Sequence, residues 1–194
     1  MTTQKQTIEE VEEKIKRIIG KKFTLPITKN KGLPGHLLEE LTGIPRSSDK
    51  LDTANGELKT FPLKKLKNGK IVPKETICIG MHSSNNVRDN DFKNSELFTK
   101  LKRGLYAPIF REGDQIQYRT PKMVDLDDYP ELVEILETDY NAIRKNYLET
   151  EKFNSKIGTL LQSRTKGRGH GSTSRAFYLR TAFVKKYVPL DFEN

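Results

Sequence analysis

Apolar residues along this chain recur at two periods, and each period marks out its own set of elements. Ile8, Val11, Ile15 and Ile18 follow a capping box of Thr7 and Glu10 at helical spacing, predicting a helix that Gly20 stops. A second helix is predicted over 35–42, burying Leu37, Leu38 and Leu41, with Gly43 as its terminator. Alternation takes over at 56–60, followed by a polar turn at Asn68 and Gly69 and a further strand near 76–81, together a hairpin signal. Residues 96–103 read as a short helix capped by Ser95, with Leu97, Phe98 and Leu101 facing inward. Residues 105–110 and 115–120 read as two strands joined at Gly113, and Pro108 points to an edge or a bulge. A long helix over 130–147 buries Leu132, Ile135, Leu136, Ile143 and Tyr147, entered through Pro130 and acids that suit the helix dipole. Strands at 157–162 and 175–180 bracket a Gly-, Ser-, Lys- and Arg-rich loop over 164–174, and a short helix covers 183–187. Helices and strands follow no strict βαβ repeat. The expected class is therefore α/β, a mixed sheet flanked by helices, in one domain over 1–194 or two small lobes about a cleft.

Charge changes the picture. The chain has 35 Lys and Arg against 26 Asp and Glu, a net +9, which favours a polyanionic partner. Residues 152–190 carry nine basic side chains and no acid, and 59–74 carry six lysines and no acid. Both are read as phosphate-contacting surfaces. Residues 123–141 reverse the balance with seven acids and no Lys or Arg, and this segment is read as a solvated face. The single cysteine, Cys78, excludes an internal disulfide and a Cys-rich zinc site, and its apolar run 77–79 predicts a buried thiol. No apolar run reaches membrane-span length and no signal peptide precedes MTTQKQ, so a soluble, cytoplasmic protein without membrane partners is expected. His36 and His82 are expected at the surface or beside a site rather than on a metal, and His170 in solvent or against a polyanion.

The candidate chemistry sits in LDTANGELK, residues 51–59. If 56–60 is a strand, Glu57 and Lys59 share one face while Leu58 enters the core, and Asp52 approaches from the preceding turn. Two carboxylates beside an ammonium are what a Mg²⁺-dependent phosphodiesterase needs: hard oxygen ligands, and a cation near the attacking water. Glu-x-Lys alone is weak, since such tripeptides recur by chance on exposed strand edges. Glu39, on the preceding helix, either joins this cluster or is solvated beside Glu40.

The blocks KGLPGHLLEELTG (31–43), GELKTFPLKKLKNGK (56–70), KETICI (74–79), KLKRGLYAPIF (100–110), LLQSRTKG (160–167) and RAFYLRTAFVKKYV (175–188) resemble, in order, the MutH family of DNA endonucleases. That family includes the mismatch-repair nicking enzyme and related type II restriction endonucleases that recognise GATC. The resemblance implies the PD-(D/E)xK nuclease fold, with Asp52 and Glu57 as metal ligands and Lys59 orienting or activating the attacking water. It implies Glu39 as an assisting carboxylate and Lys100 as a basic residue reaching into the site. Lys31 and Gly32 match a DNA-contacting turn, Arg164 and Lys166 a base-reading loop, Arg175 a further DNA contact, and Tyr178 a tyrosine that senses adenine methylation. The implied cofactor is Mg²⁺, with Mn²⁺ expected to substitute. The implied partners are double-stranded DNA, a second copy for double-strand cleavage, and a mismatch-repair activator in the repair branch. The five-residue interval from Asp52 to Glu57 departs from MutH towards the restriction branch, Thr165 in place of a proline beside the base-reading arginine leaves the exact recognition sequence open, and Tyr178 looks like MutH. The expected function is sequence-specific DNA cleavage at or near GATC by a restriction enzyme. A repair nickase and a catalytically silent DNA-binding module are the alternatives.

Overall fold

The capping box at the start of the chain closes as its residues predict. In the computed structural model, which describes residues 5–166 and 173–190, the Thr7 side chain accepts from the Glu10 N–H, and Glu10 accepts from the Thr7 N–H at 2.7 Å. Helix α1 (Ile8–Lys16) follows, with Ile8, Val11 and Ile15 buried. It ends before Gly20, and Ile18 is only half-buried. Helix α2 (Leu33–Thr42) begins two residues before the expected start, with Pro34 in its first turn, and Gly43 closes it at φ 74°. Leu38 and Thr42 are its buried residues. Leu41, expected in the core, is 39% exposed, and Leu37 is half-buried. Thr42 takes the inner position because its hydroxyl donates to the Leu38 carbonyl at 2.7 Å, which removes the penalty of burying it.

A six-stranded mixed sheet forms the centre. It comprises β1 (Lys22–Thr24), β2 (Glu57–Lys65), β3 (Ile71–Pro73), β5 (Arg103–Glu112), β6 (Gln115–Tyr118) and β7 (Lys122–Asp125), ordered β1-β6-β5-β2-β3 with β7 also on β5. Strands β2 and β5 are its parallel pair, in register from Glu57↔Gly104 to Pro62↔Ile109. β5 is therefore central and in unbroken register with β2 at Phe61↔Pro108, contrary to the edge or bulge expected from Pro108. The proline falls where β5 changes partner, between β7 (Arg103 to Tyr106) and β6 (Ile109 to Glu112). Its carbonyl faces that side and accepts from the Arg119 N–H at 2.9 Å, so the missing N–H lies at the seam.

The Asn68–Gly69 turn joins β2 to β3, not to the strand near 76–81. That strand, β4 (Ile77–His82), pairs instead with β9 (Arg175–Leu179) in a second, antiparallel sheet ordered β4-β9-β8, where β8 is Leu161–Thr165. A pairing across about a hundred residues leaves no local trace in the pattern of side chains. Helices α3 (Ser84–Asp89), α4 (Glu96–Lys102), α5 (Pro130–Thr150) and α6 (Thr181–Tyr187) complete the order, with the Ser95 side chain capping α4. The architecture is a mixed sheet flanked by helices, as expected.

Side chains alternate across β2 and β5 into two apolar clusters. Leu58, Leu105, Ala107 and Ile109 face α1 and α2, while Phe61, Leu63 and Tyr106 face the second sheet, α4, α5 and α6. Cys78 is half-buried rather than buried. The face that Leu58 does not occupy is the one on which Glu57 and Lys59 stand.

The acidic stretch is not wholly a solvated face. Asp139, on α5, is 4% exposed. Its carboxylate accepts from the N–H groups of Thr159, Leu160 and Leu161 at 2.7, 2.7 and 2.8 Å. These bonds hold 159–160 as a loop, which is why β8 starts at Leu161 and not at 157. Gly158, at φ 92°, makes the turn, and a Cβ there would collide with the Leu161 carbonyl. Arg180 secures the other side through the Ser155 and Ile157 carbonyls.

Of the two places expected for His82, the surface or beside a site, the structure rules out the first, since the ring is half-buried among aromatic side chains. Its ring packs 4.2 Å from Phe177 and 4.9 Å from Phe153, and its Nε2 lies 2.9 Å from the Ser163 hydroxyl. Burial pushes its pKa down to about 4, with Arg175 adding to the effect. The unfolded chain then binds a proton that the folded chain refuses, so stability falls as pH drops from about 6.5 to about 4 and levels off below. Urea denaturation across that range is expected to show the loss, and His82→Gln to remove its histidine component. Asp139→Ala strands three inward donors and is expected to cost about 3–5 kcal/mol. Glu134→Ala on the exposed side of α5 is expected to change stability by less than about 0.5 kcal/mol in the same assay.

Candidate active site

Asp52 and Glu57 meet because the four residues between them close a tight turn. The Thr53 N–H and hydroxyl both donate to the Gly56 carbonyl, at 3.1 and 2.7 Å, and Thr53 is 1% exposed. Helix α1 braces this turn: Asn55 accepts from the Ile8 N–H and donates to Glu9, and the Ala54 N–H donates to the Gln6 carbonyl. A Cβ on Gly56 would lie 3.0 Å from both the Arg103 carbonyl oxygen and Ile8, so only glycine permits the approach of α1 and β5. Asp52 then accepts from the Leu58 N–H at 3.0 Å, and Glu57 Oε2 accepts from the Asp52 N–H at 3.3 Å.

Glu57 is 2% exposed, and its Oε1 accepts from Lys59 Nζ at 2.6 Å and from Lys100 Nζ at 3.1 Å. Lys59 also lies 3.7 Å from Asp52. Burial opposes the charge on Lys59, but Glu57 and Asp52 outweigh it and hold its pKa above the ordinary lysine value. Lys100 reaches in from α4 past the bulge between Cys78 and Gly80, where a Cβ on Gly80 would sit 3.3 Å from the lysine stem. On β5, Gly104 lies opposite Glu57 and leaves room for the Tyr106 ring, which a Cβ would strike at 2.8 Å. Burial and the charge of Glu57 raise the Tyr106 phenol above its ordinary range, keeping it neutral.

Glu39 is half-buried while Glu40 is exposed. Burial, then the charge of Asp52, raises its pKa. The structure thus brings Glu39 within electrostatic range of Asp52 and Lys59, at the edge of the cluster, with burial the main cause of its raised pKa.

Among the described residues no three His, Cys, Asp or Glu side chains form a closed metal cage. The donor set nonetheless fits Mg²⁺, which keeps waters and binds through one or two carboxylates plus substrate phosphate. Asp52 and Glu57 are hard oxygen donors held side by side.

The other candidates divide. Arg164 on β8 stacks over the Tyr178 ring at 4.9 Å, and Tyr178 lies opposite Cys78 on β4 and Gln162 on β8. Burial raises the Tyr178 phenol above its usual value, with the Cys78 thiol adding and Arg164 opposing. Cys78 also lies within electrostatic range of Lys59. One face therefore links Arg164, Tyr178 and Cys78 to the carboxylate cluster. Arg175 does not join it. Its guanidinium turns to Thr165 and to the Phe153 ring, on the side where Phe177 enters the core. The Lys166 N–H donates to the Ser174 carbonyl, extending the ladder beyond β8, and His170 lies outside the described residues. Lys31 is exposed and pairs with Glu75 at 2.9 Å, and Gly32 caps α2, its N–H donating to Asn30. Sequence reasoning did not find Tyr106, Cys78 or the Thr53–Asn55 brace as parts of the site. Only the small residues Gly56 and Gly104, next to Glu57 in sequence and in register, signalled close packing there.

A search of curated proteins returns no match. A solved structure described as "Restriction endonuclease MvaI-cognate DNA substrate complex" aligns over 95% of this chain and 97% of its own, at 13% identity and a TM-score of 0.47, too loose a likeness to carry an argument. The family described as "DNA mismatch repair enzyme MutH" matches residues 45–146. The matched segment is just over half of the chain and contains Asp52, Glu57, Lys59 and Lys100, while Glu39 and the β8 and β9 residues lie outside it. With the cluster of two carboxylates and two lysines inside that segment, on a mixed sheet flanked by helices, this chain belongs to the MutH family.

Proposed function

We propose that this protein is a Mg²⁺-dependent, sequence-specific DNA endonuclease that hydrolyses phosphodiester bonds at or near GATC. The observation that carries the reading is the convergence of Asp52, Glu57, Lys59 and Lys100 within hydrogen-bonding reach, in a chain of the MutH family. Asp52 and Glu57 would hold the ion, which when bound supplies Lewis-acid charge against the phosphorane-like transition state. Lys59 positions a water for in-line attack, its ammonium kept charged by the two carboxylates. Attack on phosphorus leaves a 5′-phosphate and a 3′-hydroxyl. Arg164, aligned on Tyr178, presents a flat fork suited to guanine O6 and N7. Lys31 and Gly32 are assigned to a DNA-contacting turn and Lys166 to the base-reading loop with Arg164, while Arg175 serves DNA binding by steadying the end of β9. One such centre cuts one strand per engagement, so a double-strand break would take two copies or two binding events.

The second reading is repair-type nicking under a partner activator, and the description of the matched family favours it. Digestion of unmodified, hemimethylated and methylated GATC duplexes, with Mg²⁺, with Mn²⁺ and with chelator, separates the two. Efficient linearisation of unmodified plasmid supports restriction, and slow single-strand nicking supports repair.

Glu57→Gln and Lys59→Ala are each expected to lower the Mg²⁺-dependent cleavage rate by about a hundredfold or more. Full activity in both would remove the assigned site. Arg164→Ala is expected to cost about 1–3 kcal/mol of discrimination against altered sites while leaving non-specific binding nearly unchanged.

A further inference from the structure

Glu57 leaves an arriving cation little room. Its Oε1 is shared by two ammoniums at 2.6 and 3.1 Å, its Oε2 faces the Asp52 N–H, and the group is 2% exposed. A divalent ion brought to this carboxylate meets two like charges within a few ångströms, so one of them has to leave. Lys59 is poorly placed to do so, being fixed on β2 and held by Asp52 as well as Glu57. Lys100 differs in three respects. It comes from a seven-residue helix, it has Glu57 as its single ion-pair partner among the described residues, and it lines a cavity of about 250 Å³. Glu96, one helical turn before Lys100, lines the same cavity with Asn86, Asn94 and Thr99. A withdrawn ammonium would find space, a carboxylate and amide oxygens there.

We propose that Lys100 is a cation placeholder that neutralises Glu57 in the metal-free protein and withdraws towards Glu96 when a divalent ion takes the carboxylate. This rests on the reading of Asp52 and Glu57 as the ion's ligands. Lys100 is then a positioning residue that sets metal affinity, since every ion bound must first displace it.

Calorimetric titration of Ca²⁺ into the DNA-free protein tests the proposal without any turnover. Lys100→Met is expected to bind Ca²⁺ at least about tenfold more tightly than the wild type, and Lys100→Arg, which keeps the charge, no more tightly. In the wild type, reductive methylation mapped by mass spectrometry is expected to label Lys100 several-fold faster in Ca²⁺ than in EDTA, while Lys59 stays protected. That measurement decides the matter if Lys100→Met does not fold. Unchanged or weaker Ca²⁺ binding by a folded Lys100→Met, or Lys100 labelling that ignores Ca²⁺, would overturn the placeholder. Glu57→Gln in the same titration separates the two levels: retained wild-type affinity would remove the ligand assignment, and the placeholder with it.

Discussion

A buried carboxylate organises the candidate site. An ionised Glu57 at 2% exposure is tolerable only if its charge is met at close range, because an unpartnered buried charge costs several kcal/mol. Lys59 and Lys100 supply that charge, and each arrives by a different structural route. Lys59 comes from the same strand two residues on, and Lys100 from a helix whose stem crosses the bulge at Gly80. Asp52 is set by the Thr53–Gly56 turn, and that turn by α1. The helix at the start of the chain, which holds none of the candidate chemical groups, therefore fixes the separation of the two carboxylates.

Asp139 plays the corresponding part for the second sheet. Three backbone N–H groups converge on it, so the loop entering β8 has one conformation, and Arg164 inherits its direction from that loop. Both anchors are acids buried among donors, one backed by ammoniums and one by amides. In a basic chain they show that the positions of the acids carry more structural information than their number.

Local signals proved reliable where the interaction they encode is itself local. The Thr7 and Glu10 capping box, the Ser95 cap, the Gly43 terminator and the turn at Asn68 and Gly69 involve residues a few positions apart, and all four form. Alternation placed Glu57 and Lys59 on one face for the same reason. Where a feature depends on a distant partner, local reading fell short. Pro108 sits in a central strand because two other strands divide its edge between them, and Leu41 yields the core to Thr42 because a backbone carbonyl satisfies the hydroxyl. Asp139 looked like one of seven solvated acids until three amides from the loop before β8 closed around it.

Taken by itself, the order of residues marked out α1, α2, α4, α5, α6, β2, β4, β5, β6 and β9, the mixed class and the candidate Asp52, Glu57 and Lys59 set from spacings of two to five positions, and its composition the excess of positive charge, whereas β1, β3, β7 and α3 left no such pattern. Tertiary structure decided which strands pair and which lysine reaches Glu57 from outside its own strand. It also decided that Arg164 and Tyr178 share a face while Arg175 turns away. Those outcomes depend on register and burial between segments tens of residues apart, and side-chain periodicity within one segment holds no information about the strand or helix it will meet.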